Sequence, residues 1–175
     1  MPAAGRDIFY MKFSYCPVCG TKAIKEEIGD EGKMPYCPSC KMPLWDFFRT
    51  AIICAVVNEN DEIALLRQDY VSTTSYVCVA GHMKCGESAE STVLREVKEE
   101  LGLDAEKIRY IRSYPYEKKD MLMLGYLVHV KKTDFLLSQE VNSAEWIKLA
   151  DAPAKLREGG IAWQLVKEIL VDFFQ

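Results

Sequence analysis

The stretch from Gly81 to Leu103 leaves little freedom of fold, because it must enter as a turn, run as a helix and leave as a turn. Ser88 is a good N-cap, since its hydroxyl can accept a free N–H of the first turn. Gly102 suits the left-handed residue that closes a helix. Between them Ala89, Val93, Val97 and Leu101 recur at i+4 and form a stripe to bury. An acidic flank runs beside that stripe. At about 100° per residue, Glu96, Glu99 and Glu100 fall within an arc of roughly 100°. Such neighbours repel by only about 0.2–0.5 kcal/mol per i,i+4 pair, so a solvated acidic face is one reading. The other is a hard divalent cation, which removes the repulsion and takes oxygen ligands, waters and phosphates together.

The elements around this helix alternate in type. Thr50–Val57 is a continuous apolar run, and residues 58–61 make a turn into a second strand, Glu62–Gln68, giving a hairpin. Tyr76–Ala80 reads as a short strand ended by Gly81, and Lys107–Ser113, Met121–Val130 and Ala144–Leu149 read as further strands. A second amphipathic helix covers roughly Ile161–Phe173 after Gly160. Strands mixed with two helices predict an α/β sandwich with a mixed sheet over residues 46–175.

Residues 14–45 need a different source of stability. They are short and Gly/Pro-punctuated, but they carry Cys16-Pro-Val-Cys19 and Cys37-Pro-Ser-Cys40, with 17 residues between the pairs. Two such knuckles place four thiolates around one tetrahedral ion, and a closed shell of four cysteines leaves no position for substrate. A structural zinc ribbon is therefore predicted, with Cys16, Cys19, Cys37 and Cys40 as ligands. Thioredoxin-like redox chemistry is the rival reading, for which one pair would suffice. The remaining cysteines of the seven are Cys54 and Cys78, in apolar strand-like runs, and Cys85, in a polar loop. Residues 1–13 read as an N-terminal extension, within which Met11 offers a second start.

Composition excludes some partners. A net charge of −4 argues against general affinity for nucleic acid or anionic membranes. The ribbon offsets Lys22, Lys25, Lys33 and Lys41 with Glu26, Glu27, Asp30 and Glu31, so it has no basic stripe. No apolar run reaches the roughly 18 residues of a membrane span, and the N-terminus lacks the order of a signal peptide, so a cytoplasmic location is expected.

The 23 residues from Gly81 to Leu103 match the pattern Gly-x5-Glu-x7-Arg-Glu-U-x-Glu-Glu-x-Gly-U, with U aliphatic, at every specified position. At average residue frequencies a random match in a chain this long has a probability on the order of 10⁻⁷. The segment resembles the box of the Nudix hydrolases. That resemblance implies an α/β/α sandwich and a loop–helix–loop site in which Glu96, Glu99 and Glu100 bind Mg²⁺ or Mn²⁺. It also implies a positioning ion pair between Arg95 and Glu87, and a main-chain carbonyl near Ala80–Gly81 completing the metal shell. The reaction it implies is hydrolysis of a nucleoside diphosphate linked to another moiety, with a carboxylate, first Glu99 or Glu100, taking the water's proton. Glu140, six residues before Trp146, matches a carboxylate that NADH-pyrophosphatase-like members use as an extra metal ligand.

A ribbon followed by the box is similar to that same subgroup, which splits NADH and acts on NAD-capped RNA. Its specificity stretch, Ser-Gln-Pro-Trp-Pro-Phe-Pro-x-Ser-Leu-Met, is matched here by Ser113, Pro115, Leu122 and Met123, with Tyr116 in place of the Trp. The Gln, the Pro-Phe-Pro and the second Ser are missing. His82 stands where an aromatic base-stacking residue is common, and only about 15 residues precede the ribbon where that subgroup carries a large domain. The resemblance extends over roughly residues 14–150. The expected substrate contacts are His82, Ser113, Tyr114, Pro115, Tyr116, Met121 and Tyr126, with Tyr114, Tyr116 and Tyr126 as a base pocket or as core aromatics. A homodimer is expected by the same likeness. Two other readings stand beside the hydrolase: a non-catalytic nucleotide sensor on the same fold, and a protein acting on RNA 5′ ends.

Overall fold

The structure, a computed structural model, describes residues 13–173. The expected N-terminal extension lies, but for Phe13, outside the described residues. The chain divides between Phe47 and Phe48 into two units.

The first unit is a small antiparallel sheet of β1 (Ile24–Glu27), β2 (Lys33–Cys37) and β3 (Met42–Pro43), with β2 central. Its buried apolar residues are Cys16, Ala23, Cys37 and Leu44. Two of these four are thiols, so a hydrophobic core in the ordinary sense is lacking.

The second unit is built on β4 (Arg49–Asn58), which explains its uninterrupted apolar run. From Ala51 to Asn58 every residue is buried, because both faces of the sheet are covered. The remaining elements are β5 (Glu62–Gln68), β6 (Ser72–Val77), β7 (Val79–His82), α1 (Ala89–Leu101), β8 (Ala105–Tyr116), β9 (Met121–Val130), β10 (Ser143–Lys148) and α2 (Ile161–Phe173). The sheet runs β10-β5-β4-β9-β8, with β7 also paired to β4 and β6 to β5. β4 and β9 are parallel from Arg49↔Met121 to Asn58↔Val130, whereas the other pairings are antiparallel, so the sheet is mixed. Alternation along β4 then separates two cores. Ile53, Ala55 and Val57 meet Leu165, Val166 and Ile169 of α2. Ile52, Cys54 and Val56 meet Val93, Val97 and Leu101 of α1. The result is an α/β/α sandwich.

The expected hairpin forms, with β4 and β5 adjacent and antiparallel at Val57↔Ile63. One expectation is corrected. The single strand expected at Tyr76–Ala80 is two strands broken at Cys78, because the chain changes partner there, from β5 to β4. Cys54 and Cys78 are buried, and Cys85 is exposed.

The helix ends follow their caps. The Ser88 hydroxyl accepts from Ser91 N at 3.1 Å, and Gly102 closes the helix at φ 72°. Gly102 has a second duty, since a Cβ there would stand 2.5 Å from Leu136 Cβ. Leu136 N donates to Leu101 O at 2.9 Å, and the Phe135 ring stacks on Trp146 with centroids 4.9 Å apart. The 131–142 loop is thus fastened to the end of α1. Gly102→Ala combines a left-handed backbone with that collision and is expected to cost about 2 kcal/mol or more. Thermal unfolding of the two proteins side by side checks it; an unchanged midpoint would show that the loop is not held there.

Candidate active site and metal clusters

Helix α1 presents its acidic flank at the end where β5 and β7 approach it. Glu100 belongs to the last turn and is only 4% exposed. Its Oε1 accepts from Gln68 Nε2 at 2.8 Å, while Oε2 is buried with no hydrogen-bond partner. Burial, aided by the charges of Glu96 and Glu140, pushes this carboxyl up to about 7, against the opposing pull of Gln68 and the Ala80 backbone. Burial also raises Glu96, which Arg95 opposes. Gly81 makes room for this side chain, since a Cβ there would fall 1.9 Å from Glu96 Cδ. That is a reason for glycine independent of turning.

Arg95 organises the rest. Its Nε and Nη2 grip the two oxygens of Glu87 at 2.8 and 2.9 Å, its Nη1 reaches Glu96 at 2.6 Å and Glu99 at 3.1 Å, and Nη2 donates to His82 O at 3.1 Å. Glu87 is held down at about 2, chiefly by Arg95 and then by the Lys84 N–H. One guanidinium therefore faces three carboxylates, with Glu100 unneutralised behind them. An all-oxygen donor set of excess negative charge, with a buried acceptor left over, fits a hard divalent cation. Glu96 and Glu100 lie near enough to feel each other's charge and could hold it. Glu99 is turned outward to Arg95 and would join them only by swinging in. Arg95→Lys keeps the charge but loses the fork that joins Glu87, Glu96 and Glu99. Its turnover is expected to fall about 10–100-fold at saturating metal, measured by steady-state kinetics, and wild-type kinetics would deny Arg95 a positioning part.

The other residues singled out from the sequence do not all converge. Ala80 lies beside Glu100 on β7, opposite Ile53. Glu140 is exposed on the fastened loop, and its charge is felt at Glu100 and at Tyr70. His82 is exposed opposite Ala51, whose side chain belongs to the α2-side core, as do Tyr114, Tyr116 and Met121. Tyr126 does not join them. It lies in the α1-side core and its hydroxyl donates to Glu90 at 3.1 Å. Tyr114 is paired with Met123, and a step of three residues along β9 reverses the face. Tyr114 is buried, with its hydroxyl donating to Glu168 of α2 at 2.9 Å. The shared pocket of Tyr114, Tyr116 and Tyr126 is therefore corrected: two of the three are core residues on opposite faces. Ser113 and Pro115 are exposed on the side of β8 away from Tyr114.

Gln68 and Tyr70 were not foreseen. Gln68 follows Ala64 and Leu66 on the inward face of β5, so a polar residue in that alternation was the available clue. Tyr70, exposed in the turn after β5, was hidden by the lack of any pattern in that turn.

The four paired cysteines form a separate cluster in the first unit. All four sulfurs lie within 4.8 Å of one another, with Cys16–Cys40 at 3.9 Å and Cys19–Cys37 at 3.5 Å. A tetrahedron with metal–sulfur bonds near 2.3 Å has edges of about 3.8 Å, so the cluster is compatible with zinc. Cys40 N donates to Cys37 Sγ at 3.2 Å, the kind of outer bond that orients a thiolate ligand. Among the described residues no helix is long and apolar enough to cross a membrane.

Known proteins share the sequence and the fold. The NAD-capped RNA hydrolase NudC of Photobacterium profundum is 32% identical over 158 residues, covering 90% of this chain and 58% of that protein. The NAD-capped RNA hydrolase NudC of Escherichia coli (strain K12 / DH10B) is 27% identical over 170 residues, covering 94% and 65%. The chain thus spans less than two thirds of the length of these curated relatives. Two solved structures share the fold at 15% identity. A NUDIX hydrolase from Nitrosomonas europaea superposes with a TM-score of 0.66 over 87% of this chain and 88% of that one. The NUDIX domain of Shewanella oneidensis NrtR, complexed with ADP ribose, gives 0.64 over 79% and 94%. The NUDIX domain model itself matches residues 47–168, well over half of the chain and all of the box helix, and so the chain belongs to the Nudix family.

Proposed function

We propose that this protein is a divalent-metal-dependent hydrolase of nucleoside diphosphates linked to a second moiety, with a dinucleotide such as NADH, NAD⁺ or ADP-ribose as substrate. The observation that carries the reading is the buried, unpartnered Oε2 of Glu100, within reach of the charge of Glu96. A side chain of that kind is costly in a metal-free enzyme and useful in a loaded one. Glu96, Glu99 and Glu100 hold Mg²⁺ or Mn²⁺, with the Ala80 carbonyl and Glu140 as further oxygen donors. When bound, the cations neutralise the diphosphate oxygens and acidify a water.

The chain's own groups do the rest. Arg95, anchored on Glu87, keeps Glu96 and Glu99 in place. A box carboxylate, Glu99 in the first place, accepts a proton of the attacking water as the water oxygen bonds to phosphorus and the bridging oxygen leaves with the other half of the substrate. His82, Tyr116 and Met121 line the side on which a base or nicotinamide rests. NAD-capped RNA, the substrate named for the relatives, presents the same diphosphate. Zinc in the cysteine cluster, a homodimer and a cytoplasmic location complete the proposal.

The test is incubation with Mg²⁺ and, separately, Mn²⁺ against NADH, NAD⁺, ADP-ribose, diadenosine polyphosphates and NAD-capped RNA, with products resolved by chromatography. Cleavage of NADH to two mononucleotides is the expected result. Cleavage of another member keeps the mechanism and moves the substrate. Tight nucleotide binding without cleavage of any member would overturn the hydrolase in favour of a sensor.

A further inference from the structure

The end of β5 carries a polar side chain where alternation calls for an apolar one. Ala64 and Leu66 face the α1-side core, and Gln68, next in that register, is only 4% exposed. An amide is costly to bury unless it is bonded. Its bond is to Glu100 Oε1, at 2.8 Å. The strand end that delivers it is held firmly, because Asn142 N donates to Arg67 O at 2.8 Å and Asp69 N donates to Asn142 Oδ1 at 2.9 Å. A group that only satisfied a buried carboxylate would leave no reason for the other oxygen to stay bare, yet Oε2 has no partner. The two oxygens of one carboxylate are thus treated differently, Oε1 by an amide donor at 2.8 Å and Oε2 by no hydrogen bond.

We propose that Gln68 is a positioning residue of the metal site: by occupying Glu100 Oε1 it fixes the carboxylate and reserves Oε2 for a divalent cation. This rests on the reading of Glu100 as a metal ligand. A side chain acting through a ligand in this way is worth about 10–100-fold in metal affinity. Gln68→Met keeps the bulk and removes the donor.

The probe is Mn²⁺ alone, titrated into the full zinc-loaded chain while free Mn²⁺ is counted by electron paramagnetic resonance. Gln68→Met is expected to bind Mn²⁺ about tenfold more weakly, with turnover recovering towards the wild-type value at saturating Mn²⁺. In a Glu100→Gln background the same change is expected to have no further effect, as a shared interaction requires. Wild-type affinity in Gln68→Met, with Glu100→Gln weakened, would overturn the positioning role and leave the hydrolase reading standing. Independent, additive losses would overturn it too. Wild-type affinity in Glu100→Gln would overturn both. Should Gln68→Met fail to fold, Gln68→Asn, whose amide stops short of Oε1, carries the same measurements.

Discussion

Glu100→Gln is expected to abolish measurable hydrolysis and to stabilise the metal-free protein at the same time. Groups that act through a metal ligand are worth about 10–100-fold, so loss of a ligand should cost at least about a hundredfold. The stability effect has the opposite sign because Oε2 is buried without a partner in the metal-free chain. Burial lifts the carboxyl from its ordinary 4.5 to about 7 in the folded state. A folded value above the unfolded one means that the native state binds the extra proton between those pH values. Stability therefore falls as pH rises from about 4.5 to 7, and the penalty is complete above 7. A neutral amide escapes it. At pH 8 the variant should unfold a few degrees higher, from a gain of about 1 kcal/mol. Added Mn²⁺ should then raise the midpoint of the wild type and leave that of the variant in place. Thermal unfolding in magnesium-free buffer, without chelator so that the cysteine cluster is left undisturbed, checks both halves. Wild-type turnover, or a variant less stable than its parent, would make Glu100 a structural residue.

The parts of this site that were legible in the sequence are those set by local geometry. Ser88 and Gly102 bound α1 because caps act within one turn, and Val93, Val97 and Leu101 are buried because 3.6-residue periodicity aligns them. Arg95, Glu96 and Glu99 share one helix with Glu100, so their proximity needed no tertiary knowledge. The remainder depended on strand register. Tyr114 and Tyr126 look like neighbours in a list of aromatics, but β8 and β9 set them on opposite faces of the sheet. The break at Cys78 follows from a change of strand partner, which no residue at that position announces. Gln68 meets Glu100 across 32 positions of chain. Only the fold brings that pair together.

Cys37→Ser should have the largest structural effect, and it should be confined to residues 13–47. The apolar support available to that unit besides its thiols is Ala23 and Leu44, with Phe13 partly buried against them. Burying a leucine contributes about 1.5–3 kcal/mol, against an ordering cost of about 1–2 kcal/mol for each backbone residue. Thirty-odd residues cannot be ordered on those terms. A structural zinc contributes on the order of 10–16 kcal/mol to such a module. Cys37 is fully buried, with Cys19 Sγ at 3.5 Å and the Cys40 N–H on its own sulfur, so the substitution removes a thiolate that is already oriented within the cluster. Native mass spectrometry should find one zinc per wild-type chain and none in the variant. Limited proteolysis should then cut within 13–47 and leave a resistant fragment from about residue 48, whose two cores contain no ribbon residue. Zinc retained by the variant, or a ribbon still resistant without it, would refute the structural role. Four thiols that react freely in the wild-type protein would refute it as well, because ligated thiolates should be protected until a chelator removes the ion.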